Sequence, residues 1–228
     1  SFFLDKSEFC SLVGESGSGK TTLVKIISGL ISPDSGTVMC DGEILTPRLR
    51  RKNKALCAKL QLVLQNSRAA LDPCFSVYET IAEPIKNLKK CSGEEERKTV
   101  EKLMEQMELP QNILSRRSGE LSGGQQKRIC IARAILKKPK ILILDDSTSA
   151  VDTATEAEIQ KRLREELPHM TRIIIAQRIS SVKQADFILV LDDGKLVGKG
   201  THEELFKTCN VYKEICMSQF SSQEVAQL

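Results

Sequence analysis

Gly14-Glu-Ser-Gly-Ser-Gly-Lys20-Thr21 is the stretch of sequence that decides the fold of this chain. It matches the phosphate-binding loop pattern G-x-x-x-x-G-K-[ST]. The preceding residues Phe9 to Val13 are short and apolar, as a strand would be, and Thr21–Leu30 repeats apolar residues at helical spacing. Strand, glycine loop and helix in this order are the context that the pattern requires, so we expect a phosphate site here.

The composition of this loop suits phosphate oxygens. Glycines let the backbone curl with successive N–H groups pointing inward, and the following helix contributes the positive end of its dipole. Lys20 is predicted to reach the β- and γ-phosphates, and the Thr21 hydroxyl is predicted to bind Mg²⁺. The residues expected to contact the nucleotide are Gly14, Glu15, Ser16, Gly17, Ser18, Gly19, Lys20, Thr21 and Thr22.

A second glycine segment lies far downstream. It comprises Leu121, Ser122, Gly123, Gly124 and Gln125, just before a predicted helix from Gln125 to Leu136. The start of that helix could hold another phosphate. One nucleotide does not need two phosphate-binding helix N-termini that lie so far apart in one chain. A dimer in which each second segment covers the other chain's nucleotide would use both.

With these two motifs the chain resembles the ATP-binding-cassette (ABC) ATPases, whose signature motif is LSGGQ, and the resemblance extends over almost the whole chain. It implies an α/β fold: a P-loop NTPase (RecA-like) core with a mostly parallel sheet, a small antiparallel β part and an inserted helical subdomain. We expect one domain, residues 1–228, with the core at 1–65 and 137–228 and the helical subdomain at about 66–136. The resemblance implies ATP and Mg²⁺ as ligands.

Three further segments match motifs of this family. The aliphatic run Ile141–Leu144 reads as a central strand, and Asp145 at its end is expected to hold Mg²⁺ together with Thr21. Gln65 matches the family's Q-loop, where it would touch Mg²⁺ or the attacking water. Ser149-Ala-Val-Asp152 resembles the D-loop, which crosses the dimer interface, and Asp152 also fits the N-cap of the next helix.

Two positions depart from the family pattern. The residue after Asp145 is Asp146, where the family has a catalytic Glu, and Gln177 stands where the family has a histidine. Asp is one methylene shorter than Glu, and Gln cannot titrate or carry a positive charge. Together with Lys20 and Gln65 they form the expected catalytic set. The two changes favour slow hydrolysis, although ordinary turnover through small backbone shifts stays open.

Composition limits the other options. A dispersed net charge of +4 does not favour nucleic acid as a partner, and the eight scattered cysteines include no C-x-x-C pair, so we expect reduced thiols and no zinc site. No apolar run approaches the roughly 20 residues that span a bilayer. The chain starts without Met, which suggests a fragment or a processed chain. Phe2 and Phe3 are expected in the strand that leads to the loop, so no adenine-stacking residue is assigned.

Periodicity and turn residues predict the remaining elements. They are hairpins at 37–45 and 187–198, a strand at Leu60–Leu64 followed by a polar loop from Asn66 to Pro73, helices at Ser76–Leu88 (then Ser92 as an N-cap), Glu94–Met107, Thr155–Leu167, His202–Lys207 and Val211–Gln219, and a strand at Arg172–Ala176.

The leading interpretation is the ATP-hydrolysing subunit or domain of a membrane transporter. Its expected partners are transmembrane domains and a second, non-identical ABC ATPase in a head-to-tail dimer, which would place it at the cytoplasmic face of the membrane. Residues from Leu60 to about Ile85 resemble importer ATPases for peptides or nickel, whereas those from Arg172 to Gln219 resemble heterodimeric exporters. The alternatives are a soluble ABC clamp, a non-hydrolysing regulatory subunit and, least favoured, a P-loop kinase.

Overall fold

The computed structural model describes residues 1–64, 66–88, 93–146, 161–165, 167–176 and 182–219, without the side chains of 67, 87, 88, 146 and 219. The chain divides into two compact units. The first comprises Ser1–Cys57, Ile143–Ser147 and Thr171–Leu228, and the second comprises Ala58–Leu142 and Thr148–Met170. The predicted limits of the core and of the helical subdomain stay a prediction.

The strands follow the chain in an alternating α/β order. They are β1 (Phe9–Val13), β2 (Met39–Cys40), β3 (Glu43–Ile44), β4 (Leu60–Val63), β5 (Ile141–Asp146), β6 (Thr171–Ala176), β7 (Phe187–Asp192) and β8 (Lys195–Gly200).

The labelled helices precede β4, lie between β4 and β5, or follow β8. They are α1 (Lys20–Ile27), α2 (Pro47–Lys52), α3 (Lys54–Lys59), α4 (Ser67–Ala70), α5 (Val77–Leu88), α6 (Gly93–Gln106), α7 (Gly123–Leu136), α8 (His202–Thr208) and α9 (Asn210–Gln219), with 3₁₀ turns at Gln111–Ile113 and Ser118–Glu120 and a helical stretch at 161–165.

The first unit is built on a mostly parallel sheet in the order β5-β6-β1-β7-β8. Strand β1 is parallel to both neighbours, and Leu12 is in register with Ile175 of β6 and Leu189 of β7. Every residue of β1 and β6 is buried, as expected for parallel strands covered on both faces. Strand β8 returns antiparallel to β7. The carboxyl ends of β1, β6 and β7 therefore lie at one edge.

The second unit is mainly helical. Helix α7 packs against α5 and against β4. Its apolar core includes Ile81, Met104 and Ile129, none of them more than 1% exposed. Arg133 of α7 forms an ion pair with Glu83 of α5. These contacts hold the start of α7, where the second glycine motif lies, on a packed helical base.

Most predicted elements are confirmed within one or two residues. The two hairpins form at Met39–Ile44 and at 187–200, and helix α7 begins at Gly123. The predicted strand Arg172–Ala176 is β6, which begins one residue earlier, at Thr171. Of the predicted helix Thr155–Leu167, residues 161–165 are helical, and Ser92 and residues 155–160 lie outside the described residues.

Two local predictions are wrong for identifiable reasons. The polar loop Asn66 to Pro73 contains helix α4, because the Asn66 side chain caps it by accepting a hydrogen bond from the Ala69 amide at 3.2 Å. Phe2 and Phe3 do not lie in a strand, since a turn at Lys6 and Ser7, with Ser7 at a φ of 69°, separates them from β1. The Phe3 ring instead lies 5.0 Å from the Lys199 ammonium.

Helices α2 and α3 add to the predicted set. Helix α2 follows from Thr46, whose hydroxyl accepts from the Leu49 amide at 3.1 Å, and from Pro47 at the first helical position. No helix among the described residues combines the length and the apolar composition needed to cross a membrane.

Replacing Leu12 by Ala tests whether β1 anchors the first unit. Leu12 is 1% exposed between two neighbouring strands, so the cavity left should lower the free energy of unfolding by about 2–5 kcal/mol. Leu196→Ala on β8 is the matched control, since that side chain is 43% exposed and should cost under about 1 kcal/mol. Urea denaturation gives both values, and equal losses would contradict a central role for β1.

Candidate nucleotide-binding site

The first glycine motif forms the connection between β1 and α1. Strand β1 ends at Val13, and α1 starts at Lys20, so the six residues between them form the loop. Gly17 and Gly19 have φ values of 87° and 93°, a region that favours glycine. Gly19 is the N-cap residue of α1, and its carbonyl accepts from the Leu23 amide at 2.9 Å. The strand–loop–helix geometry predicted from the sequence is therefore present.

Gly14 is required by close packing. A Cβ atom at this position would lie 2.2 Å from the Leu191 carbonyl oxygen and 2.6 Å from the Ser18 hydroxyl oxygen. Both distances are shorter than any real carbon contact, and the first neighbour is backbone that cannot rotate away. Gly14 is thus the point where the loop passes against the end of β7.

Lys20 lies inside the curve of the loop. Its ammonium donates to the Gly14 carbonyl at 2.9 Å, the Glu15 carbonyl at 2.5 Å and the Ser18 hydroxyl at 3.2 Å. The side chain is 7% exposed. Burial lowers the pKa of this amine, and the opposing charges of Asp145 and Glu15 act in the other direction. A cation that is largely removed from water is strongly attracted to phosphate oxygens.

Thr21 and Asp145 meet at the beginning of α1. The Thr21 hydroxyl donates to a carboxylate oxygen of Asp145 at 3.1 Å, although the two residues are 124 positions apart. Asp145 is 1% exposed near the end of β5. The structure therefore brings together the hydroxyl and the carboxylate that the sequence assigned to one metal ion.

This pair fits a magnesium ion. Mg²⁺ prefers oxygen ligands and is usually held by one or two protein oxygens, with water and substrate phosphates completing its coordination. Thr21 and Asp145 supply a hydroxyl and a carboxylate side by side, and the phosphate loop is adjacent in the chain. Within the described ranges no group of three or more His, Cys, Asp or Glu side chains could hold a metal by itself.

The remaining loop residues differ in exposure. Ser18 is buried, with its amide donating to the Glu15 carbonyl at 3.2 Å, whereas Glu15, Ser16 and Thr22 are exposed. Exposed groups beside a buried lysine are accessible to a ligand that enters from solvent.

One contact of the loop was not predicted. The Gly194 amide, in the turn between β7 and β8, donates to the Ser18 carbonyl at 3.3 Å. The sequence predicted this turn from Asp192-Asp193-Gly194 but did not indicate what it would touch. Together with Leu191 beside Gly14, the turn supports the loop from the side of β7.

The second glycine motif begins α7 with a reciprocal cap. The Ser122 hydroxyl accepts from the Gln125 amide at 3.3 Å, and the Gln125 side chain accepts from the Ser122 amide at 3.1 Å. Leu121 and Gly124 are buried, whereas Ser122 and Gly123 are exposed. The side-chain amide of Gln126 donates from Nε2 to the Ser118 carbonyl at 2.8 Å and fixes the preceding turn. The motif is therefore a preformed helix start with an exposed first turn.

Several predicted site residues cannot be placed. Gln65, Gln177 and the segment Ser149–Asp152 lie outside the described residues, and so does the side chain of Asp146, whose backbone ends β5. The phosphate loop with Asp145 belongs to the first unit, and the Leu121–Gln125 motif belongs to the second.

Comparison with known proteins identifies the family. A family model described as ABC transporter matches residues 1–149. The oligopeptide transport ATP-binding protein OppF of Lactococcus lactis subsp. lactis is 32% identical over 97% of this chain and 71% of that protein. The mitochondrial ATP-binding cassette sub-family B member 10 of Mus musculus is 39% identical over 92% of this chain and 29% of that protein.

A solved structure agrees with the fold. The dimeric, post-hydrolysis structure of the ATP-binding cassette MJ0796 bound to ADP and Pi has a TM-score of 0.80 at 28% identity, covering 88% of each chain. This chain belongs to the ABC transporter family and is one of its ATPase domains, with the P-loop NTPase fold. It spans well under half the length of several curated relatives, 17% for one of them. The alignments with OppF and with sub-family B member 10 each extend over more than nine-tenths of this chain.

Gly14→Ala should disrupt the phosphate loop. The added methyl would overlap the Leu191 carbonyl, so we expect at least about a tenfold loss of ATP affinity and a loss of stability of about 1–3 kcal/mol. Gly36→Ala is the matched control, because Gly36 also has a positive φ, 78°, but nothing within 4 Å of the added carbon. Its affinity should be unchanged. Binding of a fluorescent ATP analogue measures the affinity of both variants, and full affinity in Gly14→Ala would contradict the packing argument.

Proposed function

We propose that this chain binds Mg·ATP at the β1–α1 loop and hydrolyses it to drive a membrane transporter. The observation that carries the proposal is the Thr21–Asp145 hydrogen bond of 3.1 Å beside the buried Lys20 ammonium. A desolvated cation, a curled loop of amides and a hydroxyl–carboxylate pair together match the charge of a metal-bound triphosphate. Membership of the ABC transporter family supports the assignment to transport.

Each of these residues has a separate task in the proposed site. Lys20 exchanges acceptors in the loop for β- and γ-phosphate oxygens, and the amides from Gly14 to Thr21 surround those phosphates. Thr21 and Asp145 hold Mg²⁺, which supplies charge neutralisation at the phosphates when it is bound. Gln65 orients Mg²⁺ or the attacking water, as the family resemblance implies.

The second motif completes a site on a partner. The first turn of an α-helix has backbone N–H groups without intrahelical acceptors, and here Ser122 and Gly123 leave that turn exposed. In the proposed head-to-tail dimer, Leu121–Gln125 of one chain covers the γ-phosphate bound to the other. The dimeric MJ0796 structure with ADP and Pi supports dimer formation in a related cassette.

The site of this chain is proposed to hydrolyse ATP slowly. Asp146 must reach the attacking water with a side chain one methylene shorter than Glu, and Gln177 can donate a hydrogen bond to the γ-phosphate without carrying a positive charge. Both substitutions weaken the same step. We therefore propose a non-identical partner that carries a Glu and a His, so that one of two composite sites turns over efficiently.

The transport role requires membrane partners. Transmembrane domains would dock on the ATPase, and closing and opening of the dimer would be passed to them. This places the chain at the cytoplasmic face of a membrane as a peripheral element. Both import and export are compatible with the relatives of this chain. They include the oligopeptide transport ATP-binding protein OppF and an ATP-dependent lipid A-core flippase.

The hydrolysis rate of the purified chain tests the proposal. We expect ATP hydrolysis in the parent to be low, and the variant Asp146→Glu with Gln177→His to be at least about tenfold faster, since general-base catalysis contributes about 10²–10⁴-fold. Phosphate release in steady state is the measurement.

Lys20→Ala is the control for the site itself and should abolish both binding and turnover. A parent as fast as the double variant would remove the degenerate-site proposal and leave a self-sufficient ATPase. ATP binding without any turnover, even in the double variant, would favour a regulatory subunit. Absence of ATP binding in the parent would overturn the proposed function as a whole.

A further inference from the structure

A surface of the first unit combines basic and apolar side chains. It comprises the β2–β3 hairpin, the segment after α1 and helix α2 with the start of α3, and we call it the basic–apolar surface. Its exposed basic and large apolar members are Leu30, Ile31, Met39, Ile44, Arg48, Arg51, Lys52 and Lys54, and the hairpin also exposes Asp41 and Glu43. None of them belongs to the nucleotide site.

The basic side chains share one face of α2. From Ile44 to Lys54, both included, the sequence holds five Arg and Lys residues and no Asp or Glu. Positions 48, 51 and 52 are spaced i, i+3 and i+4, which places them on the same side of a helix, and all three are exposed. Arg50, on another side, is half-buried and donates to the Ser28 carbonyl at 2.7 Å. The helix is thus attached through Arg50 and presents its other basic residues outward.

These exposed charges are not neutralised within the chain as described. None of Arg48, Arg51, Lys52 and Lys54 forms an ion pair with a described residue. The nearest acidic residues in sequence, Asp41 in the hairpin turn and Glu43 in β3, precede the run. The run therefore presents a positive potential to solvent.

Large apolar side chains are exposed beside this run. Met39 and Ile44 are direct cross-strand partners, 63% and 54% exposed. Leu30 and Ile31 follow Gly29, whose Cβ position would lie 2.8 Å from Leu45, the neighbour of Ile44. Grouped exposed apolar side chains on a soluble domain indicate an interaction surface.

The basic and the apolar side chains of this surface are carried by one structured segment. The Leu45 amide donates to the Val38 carbonyl at 2.7 Å and closes the hairpin, and Thr46 caps α2 directly after it. Arg50 ties α2 to the end of α1 at Ser28. The surface is therefore held in shape before any partner arrives, which limits the ordering cost of binding.

We propose that the basic–apolar surface binds an anionic lipid bilayer directly. Lys and Arg side chains attract the negatively charged headgroups, and adjacent aliphatic side chains enter the boundary between headgroups and acyl chains. Among its exposed members the surface offers no aromatic ring on which bases could stack, so single-stranded nucleic acid is disfavoured. This contact would be additional to attachment through transmembrane partners and does not depend on the proposed transport function.

Vesicle sedimentation with the full chain tests the proposal. We expect binding to vesicles in which about a third of the lipid is phosphatidylserine, little binding to pure phosphatidylcholine, and loss of binding as salt is raised to about 0.5 M. The variant Arg48→Gln, Arg51→Gln, Lys52→Gln, Lys54→Gln should bind more than about a hundredfold more weakly, at about fivefold for each side chain.

The matched control removes the charges of four exposed lysines that are not members of the basic–apolar surface. Lys98→Gln, Lys102→Gln, Lys207→Gln, Lys213→Gln lowers the net charge by the same amount from +4 and should bind like the parent or less than about fivefold more weakly. Met39→Ser with Ile44→Ser should weaken binding without changing its dependence on salt. A fluorescent ATP analogue should bind all variants equally, which separates this test from failure of the nucleotide site.

Three results would overturn the proposal. They are equal binding of the parent to neutral and anionic vesicles, equal loss in the two quadruple variants, and tighter binding of polyuridylate RNA than of vesicles through the same four side chains.

Discussion

Burial of β1 between two parallel strands is the constraint on which the nucleotide site depends. Leu12 is fixed by register to both β6 and β7, so Val13 ends at a defined point on the sheet edge. The chain must leave this edge through a tight loop, with Gly14 pressed against the Leu191 carbonyl. The loop then closes around the Lys20 ammonium, and α1 begins with Thr21 within hydrogen-bond distance of Asp145. Apolar packing of β1 thus positions the phosphate loop and the Lys20 ammonium at the sheet edge.

Desolvation links this architecture to chemistry. Lys20 and Asp145 carry charge in a place that is nearly closed to water, and burial lowers the pKa of the Lys20 amine. Such charges are costly unless they are paired, and here loop oxygens and the Thr21 hydroxyl compensate for them. A metal-bound triphosphate offers complementary charges to both groups. Burial of these charged side chains lowers the stability of the domain, and it also favours binding of the proposed ligand.

The phosphate loop could be predicted from the sequence because its motif is local: glycines, lysine and flanking periodicity all lie within residues 9–30. The pairing of Thr21 with Asp145 is predicted by matching two motifs in family order. The structure places the two side chains 3.1 Å apart, and their role as joint metal ligands stays a prediction. Local pattern did not reveal that Gly194 would support Ser18, because that contact depends on the register of β7 and β8. Helix α4 is not predicted by the sequence pattern, because Asn in a polar segment is as typical of a loop as of a helix cap. The roles of Asp146 and Gln177 stay predictions, since they depend on atoms outside the described residues.

The most direct test of the central claim is the affinity for ATP, measured by calorimetry with and without Mg²⁺ in the parent and in Asp145→Asn. Asn is the same size as Asp, so the fold around β5 should be retained while the charge on the metal site is lost. The account predicts that Mg²⁺ strengthens binding in the parent and that this gain disappears in the variant. The same Mg²⁺-dependent gain in both proteins would contradict the assignment of Thr21 and Asp145 as the metal site.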